Sequence, residues 1–223
     1  MLVTDYLRNG GTLEELNAKY AIDATWSKEA PSLVLLKYNQ LASDFSQPLV
    51  RECRGLILDS ATNWRVVAEP FHKFFNHGEP HAAEIDWSTA RVQEKLDGSL
   101  MTLYFHEGTW RVATSGNPDA AGNVNAHPMT FQTLFWKTWD EMDYGLDPLE
   151  ETHTYMFELT SPYNQVVVPH ATPALTLIGV RQNGGPEDDP IYYTEFRTVK
   201  EFPLGNFKSI VDSFAQCDGQ RFE

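Results

Sequence analysis

The sequence predicts an α+β protein built mainly from antiparallel strands, with a few helices packed on them. Three observations carry this. Short apolar runs bounded by turn residues recur at Ser32–Tyr38, Gly55–Leu58, Trp64–Ala68, Thr109–Thr114, Thr154–Leu159 and Leu175–Val180. One longer segment, Met129–Met142, places Phe131, Leu134, Phe135, Trp139 and Met142 at helical spacing. Near the start, Thr12-Leu-Glu-Glu15 ahead of Leu16 and Tyr20 is a reciprocal capping pattern that opens a short helix.

Taken in order, the Gly10-Gly11 pair breaks the segment before that helix, and residues 1–30 read as an N-terminal helical segment ahead of a larger domain, 31–223. Ser32–Tyr38 is a buried strand. The polar stretch Asn39–Val50, with Pro48, is a loop. Gly55–Leu58 and Trp64–Ala68 pair as a hairpin across the turn Asp59–Asn63, and Pro70–Glu79 is aromatic and irregular. An apolar alternation then enters Glu94-Lys95-Leu96-Asp97-Gly98-Ser99, and a second one, Leu100–Phe105, leaves it. The pattern predicts strand, tight Asp-Gly turn, strand, with Lys95 at the bend. Thr109–Thr114 continues the sheet and Ser115–Pro118 turns out of it. After the Met129–Met142 helix come two strands and an acidic, turn-rich loop, Asn183–Pro190. Thr198–Phe207 reads as extended and Lys208–Cys217 as a helix.

The 223 residues are 42% hydrophobic, enough for a sizeable core. No apolar run reaches transmembrane length and no signal peptide opens the chain, so no membrane partner and a cytoplasmic setting are expected. Two cysteines make no disulfide framework, which fits a reducing compartment. The net charge of -14 argues against a general nucleic-acid binder. Residues 1–99 carry 10 basic and 14 acidic side chains, so the acidic excess falls mainly in the second half. An RNA ligand would dock on a local basic patch in the first half, or on chain beyond this sequence.

Several stretches bear chemistry, each with a plain structural alternative. Lys95 stands between two carboxylates, beside a glycine that lets a ligand approach closely; the plain alternative is a solvated surface charge. Arg51 and Arg54 near a strand start form a phosphate clamp or an ordinary ion-pair network. Lys73 among Phe71, Phe74 and Phe75 is a polyphosphate contact beside an aromatic wall, or a snorkelling lysine on a core plug. His72, His77 and His81 lack the regular spacing of metal ligands.

These stretches together resemble a family. Lys37-Tyr38-Asn39, Glu52-Cys-Arg54-Gly55, Lys73-Phe-Phe75-Asn76, Glu94-Lys95-Leu-Asp97-Gly98-Ser99, Phe157-Glu158-Leu-Thr-Ser-Pro162 and Leu177-Ile-Gly-Val-Arg181 run in the order found in phage-type RNA ligases of the first, tRNA-repair class. These are members of the covalent nucleotidyltransferase superfamily. The resemblance implies a nucleotidyltransferase domain, the ATP-grasp-like adenylation domain of ligases, with mainly antiparallel sheets and flanking helices. It implies Lys95 as the nucleophile that attacks the α-phosphorus of ATP, with Mg2+ or Mn2+ as the metal. Triphosphate contacts fall to Arg54 and Lys73, and Phe157 falls next to the adenine. Tyr38, Asn39, Phe75, Glu94, Gly98 and Arg181 sit at further nucleotide-contact positions. Glu158 binds ribose or metal, and Glu223 is the other metal candidate. The amine must be neutral to attack; a bound cation with Arg54 and Lys73 favours that, while Glu94 and Asp97 oppose it. RNA ends, tRNA among them, are the implied partners.

The chain departs from the class pattern in two places. The best-known member of the class has a lysine directly before the glycine where this chain has Thr114-Ser115-Gly116, so a cationic contact is absent or supplied elsewhere. The class also continues into a Glu-Gly strand and a Lys-x-Lys strand, whereas this sequence ends at Arg221-Phe222-Glu223. A domain lacking its last strands is therefore expected, completed by a C-terminal domain or a second chain, with weak self-adenylylation alone. A catalytically impaired nucleotide- or partner-binding relative is the competing reading.

Overall fold

The computed structural model describes residues 1–202. It is a mixed, sheet-rich fold with few helices. In chain order the elements are α1 (Leu2–Arg8), α2 (Leu13–Tyr20), β1 (Ile22–Trp26), β2 (Leu33–Tyr38), α3 (Pro48–Glu52), β3 (Arg54–Asp59), β4 (Arg65–Ala68), β5 (Val92–Gln93), β6 (Ser99–His106), β7 (Thr109–Thr114), α4 (Phe131–Glu141), β8 (His153–Thr160), β9 (Ala174–Gln182), β10 (Glu187–Asp188) and β11 (Glu201–Phe202). Strands β1-β2-β3-β4 form one antiparallel sheet and β10-β9-β8-β6-β7 a second, while β5 and β11 pair as a separate two-residue ribbon.

The layers follow from side-chain alternation along the strands. On β2 and β3, Val34, Leu36, Leu56 and Leu58 face Val3, Leu7 and Leu16 of the N-terminal helices. Their neighbours Leu33, Leu35 and Ile57 face the other way, against Tyr104 of β6 and Ala113 of β7. Both faces of the first sheet are covered, which is why Leu33–Leu36 is a continuous apolar run. The second sheet alternates in turn. Met101, Leu103, Tyr155, Phe157 and Leu177 meet Leu134, Phe135 and Trp139 of α4. The order through the molecule is helices, sheet, sheet, helix.

The local chemistry is as the residues require. Thr12 and Glu15 form the reciprocal cap of α2. Thr130 caps α4 by accepting from the Thr133 N–H. The β6–β7 hairpin turns at Glu107 and Gly108, both left-handed.

Two expectations need correction, and a third falls partly outside the described residues. The segment 1–30 holds two helices and also strand β1, which pairs along its length with β2 and builds the segment into the first sheet. The lysine stretch is not a hairpin: β5 pairs with β11, and β6 starts by pairing with β8, Ser99 opposite Leu159. The reason is Gly98, which lies so close to β8 that a Cβ there would stand 2.4 Å from the Leu159 carbonyl oxygen. The stretch therefore crosses from the ribbon to the second sheet. Finally, β11 falls inside the expected extended segment Thr198–Phe207, but the rest of that segment, the expected helix Lys208–Cys217 and Glu223 lie outside the described residues.

Candidate active site

At the seam between the sheets, the irregular stretch 71–96 bridges the first sheet to the edge of β6 and β8. Phe71 seats on β9, where Gly179 leaves the room: a Cβ there would stand 2.3 Å from the Phe71 ring. The Phe71 N–H also meets the Met156 sulfur at 3.1 Å. Between this stretch and the sheet lies a cavity of about 670 Å3. Phe71, Phe74, Phe75, Ile85, Trp87, Leu96, Leu100, Ile178 and Val199 make it apolar, while Arg54, Glu94, Lys95 and Glu158 give it a charged side. An apolar wall with a few convergent charges is the usual form of a small-molecule site.

Alternation on β8 explains the carboxylate. Phe157 points into the α4 core and is fully buried; Glu158, one residue on, points the opposite way into the cavity. Burial pushes the Glu158 carboxyl up to about 7, against the Gly98 N–H hydrogen bond and the charges of Lys95 and Arg54, which pull it down. Arg54 opens β3 and stacks its guanidinium on the Phe74 ring at 4.6 Å. Its Nη1 is buried and has no hydrogen-bond partner among the described residues. A buried guanidinium nitrogen left unpaired at a cavity wall is a donor waiting for an anion. Lys95 is exposed and lines the same cavity.

The comparisons with known proteins bear on this arrangement. The family model described as RNA ligase matches residues 52–215. The chain belongs to the RNA ligase family. It is 34% identical over 186 residues to "RNA ligase" of Rhodothermus phage RM378, covering 69% of this chain and 42% of that protein. It is 32% identical over 199 residues to "Putative bifunctional polynucleotide kinase/RNA ligase" of Autographa californica nuclear polyhedrosis virus, covering 81% and 28%. It is also 36% identical over 145 residues to "Putative RNA ligase" of Thermovibrio ammonificans, covering 62% and 36%. The chain thus spans less than half the length of these relatives.

Of the residues assigned by resemblance to this RNA ligase family, Arg54, Phe75, Glu94, Lys95 and Glu158 line the cavity. Gly98 sits behind it, donating to Glu158. The others do not reach it. Tyr38 is buried against Phe45 in the first-sheet core. Asn39 accepts from the Leu41 and Ala42 N–H groups in a tight exposed turn. Lys73 donates to the Phe74 carbonyl at 2.9 Å and lies over the Phe75 ring at 4.7 Å, outside the cavity lining. Phe157 is core, packed on Phe135, Trp139 and Phe196. Arg181 is held by Glu69 at 3.1 Å and by Glu187. Burial alone would raise the Glu69 carboxyl, but His72, the Gly184 N–H and Arg181 hold it below its ordinary value. That cluster joins the end of β4 to β9.

Sequence reasoning passed over Trp87 and Ile85. Their signal was available: two large apolar residues in an otherwise polar, irregular stretch have no core of their own to enter. The lysine missing before Gly116 has a neighbour in space. Lys37 of β2 places its Nζ 3.4 Å from where a Gly116 side chain would begin.

Proposed function

We propose that this chain is the adenylation part of an ATP-dependent RNA ligase, with a nucleotidyltransferase fold, and that Lys95 carries AMP between ATP and RNA. The observation that supports this is one cavity shared by an aromatic wall, the amine of Lys95, the unpaired Arg54 nitrogen and the Glu158 carboxylate. A nucleotide matches both sides, its base against Phe74, Phe75 and Trp87 and its phosphates toward Arg54. The Lys95 amine attacks the α-phosphorus; a phosphorus–nitrogen bond forms as the bond to pyrophosphate breaks. AMP then passes to a 5′-phosphate RNA end, and a 3′-hydroxyl displaces it to seal the strand. Arg54 stabilises charge building on the phosphates, the dominant contribution in phosphoryl transfer.

Among the described residues no group of three or more His, Cys, Asp or Glu forms a metal cage. Mg2+ does not require one, since it is held by one or two carboxylates together with substrate phosphates and waters. Glu158, with Glu94 on the same wall, fits that role. When bound, the ion would neutralise phosphate charge.

The test is a sealing assay on RNA carrying 5′-phosphate and 3′-hydroxyl ends, with ATP or GTP supplied. ATP-dependent joining that fails on 5′-hydroxyl ends supports the reading. Equal joining with GTP, or nucleotide binding without joining or adenylylation, overturns it.

A further inference from the structure

The loop after β8 is fastened to the core at its start and to the lysine turn farther along. Tyr163 rests on the core beside α4, but Val166, Val167 and Val168 are 64%, 53% and 41% exposed, so apolar packing does not fix the far part of the loop. Hydrogen bonds do. One oxygen of the Asp97 carboxylate accepts the N–H groups of Val167 and Val168, each at 2.6 Å. His170 Nε2 donates to the Asp97 carbonyl at 2.9 Å. Asn164, buried, donates to the Ser99 hydroxyl at 3.0 Å and to the Leu159 carbonyl at 2.7 Å. The loop therefore grips the turn on both sides of Gly98, which itself rests on β8.

We propose that Asp97 is a positioning residue: with loop 161–170 it braces turn 95–99 against β8 and so holds the Lys95 amine in register with Glu158. This rests on the reading of Lys95 as nucleophile. Asp97 touches no reacting atom in this account, and what the brace needs from it is an acceptor oxygen, not a negative charge. The two N–H donors hold its carboxyl below the ordinary range.

The experiment compares Asp97→Asn, Asp97→Ala and Val167→Pro in the full chain. Asparagine keeps an oxygen at the same place, alanine removes it, and Val167→Pro removes one donor from outside the lysine motif. The first readout is amide hydrogen exchange of peptides covering 165–170 without nucleotide, which does not depend on activity. The second is the rate of AMP transfer to Lys95 and the KM for ATP. Asp97→Ala is expected to speed exchange in the loop by about tenfold or more. It should slow AMP transfer by about 10²-fold with little change in KM, the signature of a misplaced nucleophile. Asp97→Asn should stay near wild type in both, and Val167→Pro should shift both in the alanine direction by less. Asparagine as damaging as alanine would show that charge matters and overturn the brace, as would unchanged loop exchange in Asp97→Ala. A wild-type chain that never carries AMP would defeat the nucleophile reading and leave the exchange comparison to judge the brace.

Discussion

The first sheet and the stretch 70–98 lie side by side and are held in opposite ways. In the sheet, Leu33–Leu36 and Leu56–Leu58 are fully buried and every strand has a partner along its length. In the stretch, only Val92 and Gln93 belong to a strand, and the order comes from single contacts: Phe71 on Gly179, Arg54 on Phe74, Glu94 donating its N–H to the Lys200 carbonyl at 2.9 Å. The sheet's stability is spread over many equivalent apolar contacts. The stretch sets its charged groups Glu94 and Lys95 beside an open cavity. Chemistry here sits where the scaffold is rigid on one side and the backbone irregular on the other.

That contrast can be broken from either side. The largest effect is expected at Lys95: Lys95→Ala should abolish covalent AMP without lowering the melting temperature by more than a degree or two, as for a surface substitution. Arg54→Ala should slow AMP transfer by roughly 10²-fold, the usual cost of one preorganised donor, measured by single-turnover labelling. Arg181→Ala should do the reverse. It strips the buried Glu69 of a partner and should cost about 3 kcal/mol in chemical denaturation, with the KM for ATP unchanged. If Arg181→Ala instead raised KM with stability intact, the assignment of Arg181 to the structural cluster would be wrong.

Glu158→Gln gives the smallest and most conditional effect. The folded protein holds the Glu158 proton more tightly than the unfolded chain, so stability falls as pH rises from about 4.5 and the full cost is reached above about 7. Partial solvent access trims that cost to roughly 2 kcal/mol. Glutamine should therefore raise the melting temperature above pH 7 and lose its advantage below pH 4.5, in scans without nucleotide or metal. A stabilisation independent of pH would contradict the burial of this carboxyl.

Much of this was legible in the sequence, for a physical reason. Strands buried on both faces write continuous apolar runs, so β2, β3, β8 and β9 could be read directly, and α2 and α4 announced themselves through their caps and apolar spacing. The lysine turn was misread because alternation reports which face a residue points to, not which strand it pairs with. Val92 and Leu100 alternate correctly but belong to different sheets. Phe157 and Arg181 matched the family pattern by position, yet one packs on Trp139 and the other on Glu69, partners far away in sequence. Trp87 stands out in the sequence only as a large apolar residue in a polar stretch; the cavity it lines exists once 71–96 folds over β6 and β8.

The most direct test is mass spectrometry of the chain after incubation with ATP and Mg2+, followed by proteolysis to locate any adduct. One AMP on the peptide containing Lys95, absent from Lys95→Ala, is the predicted result. AMP found on another residue, or retained in Lys95→Ala, would contradict it.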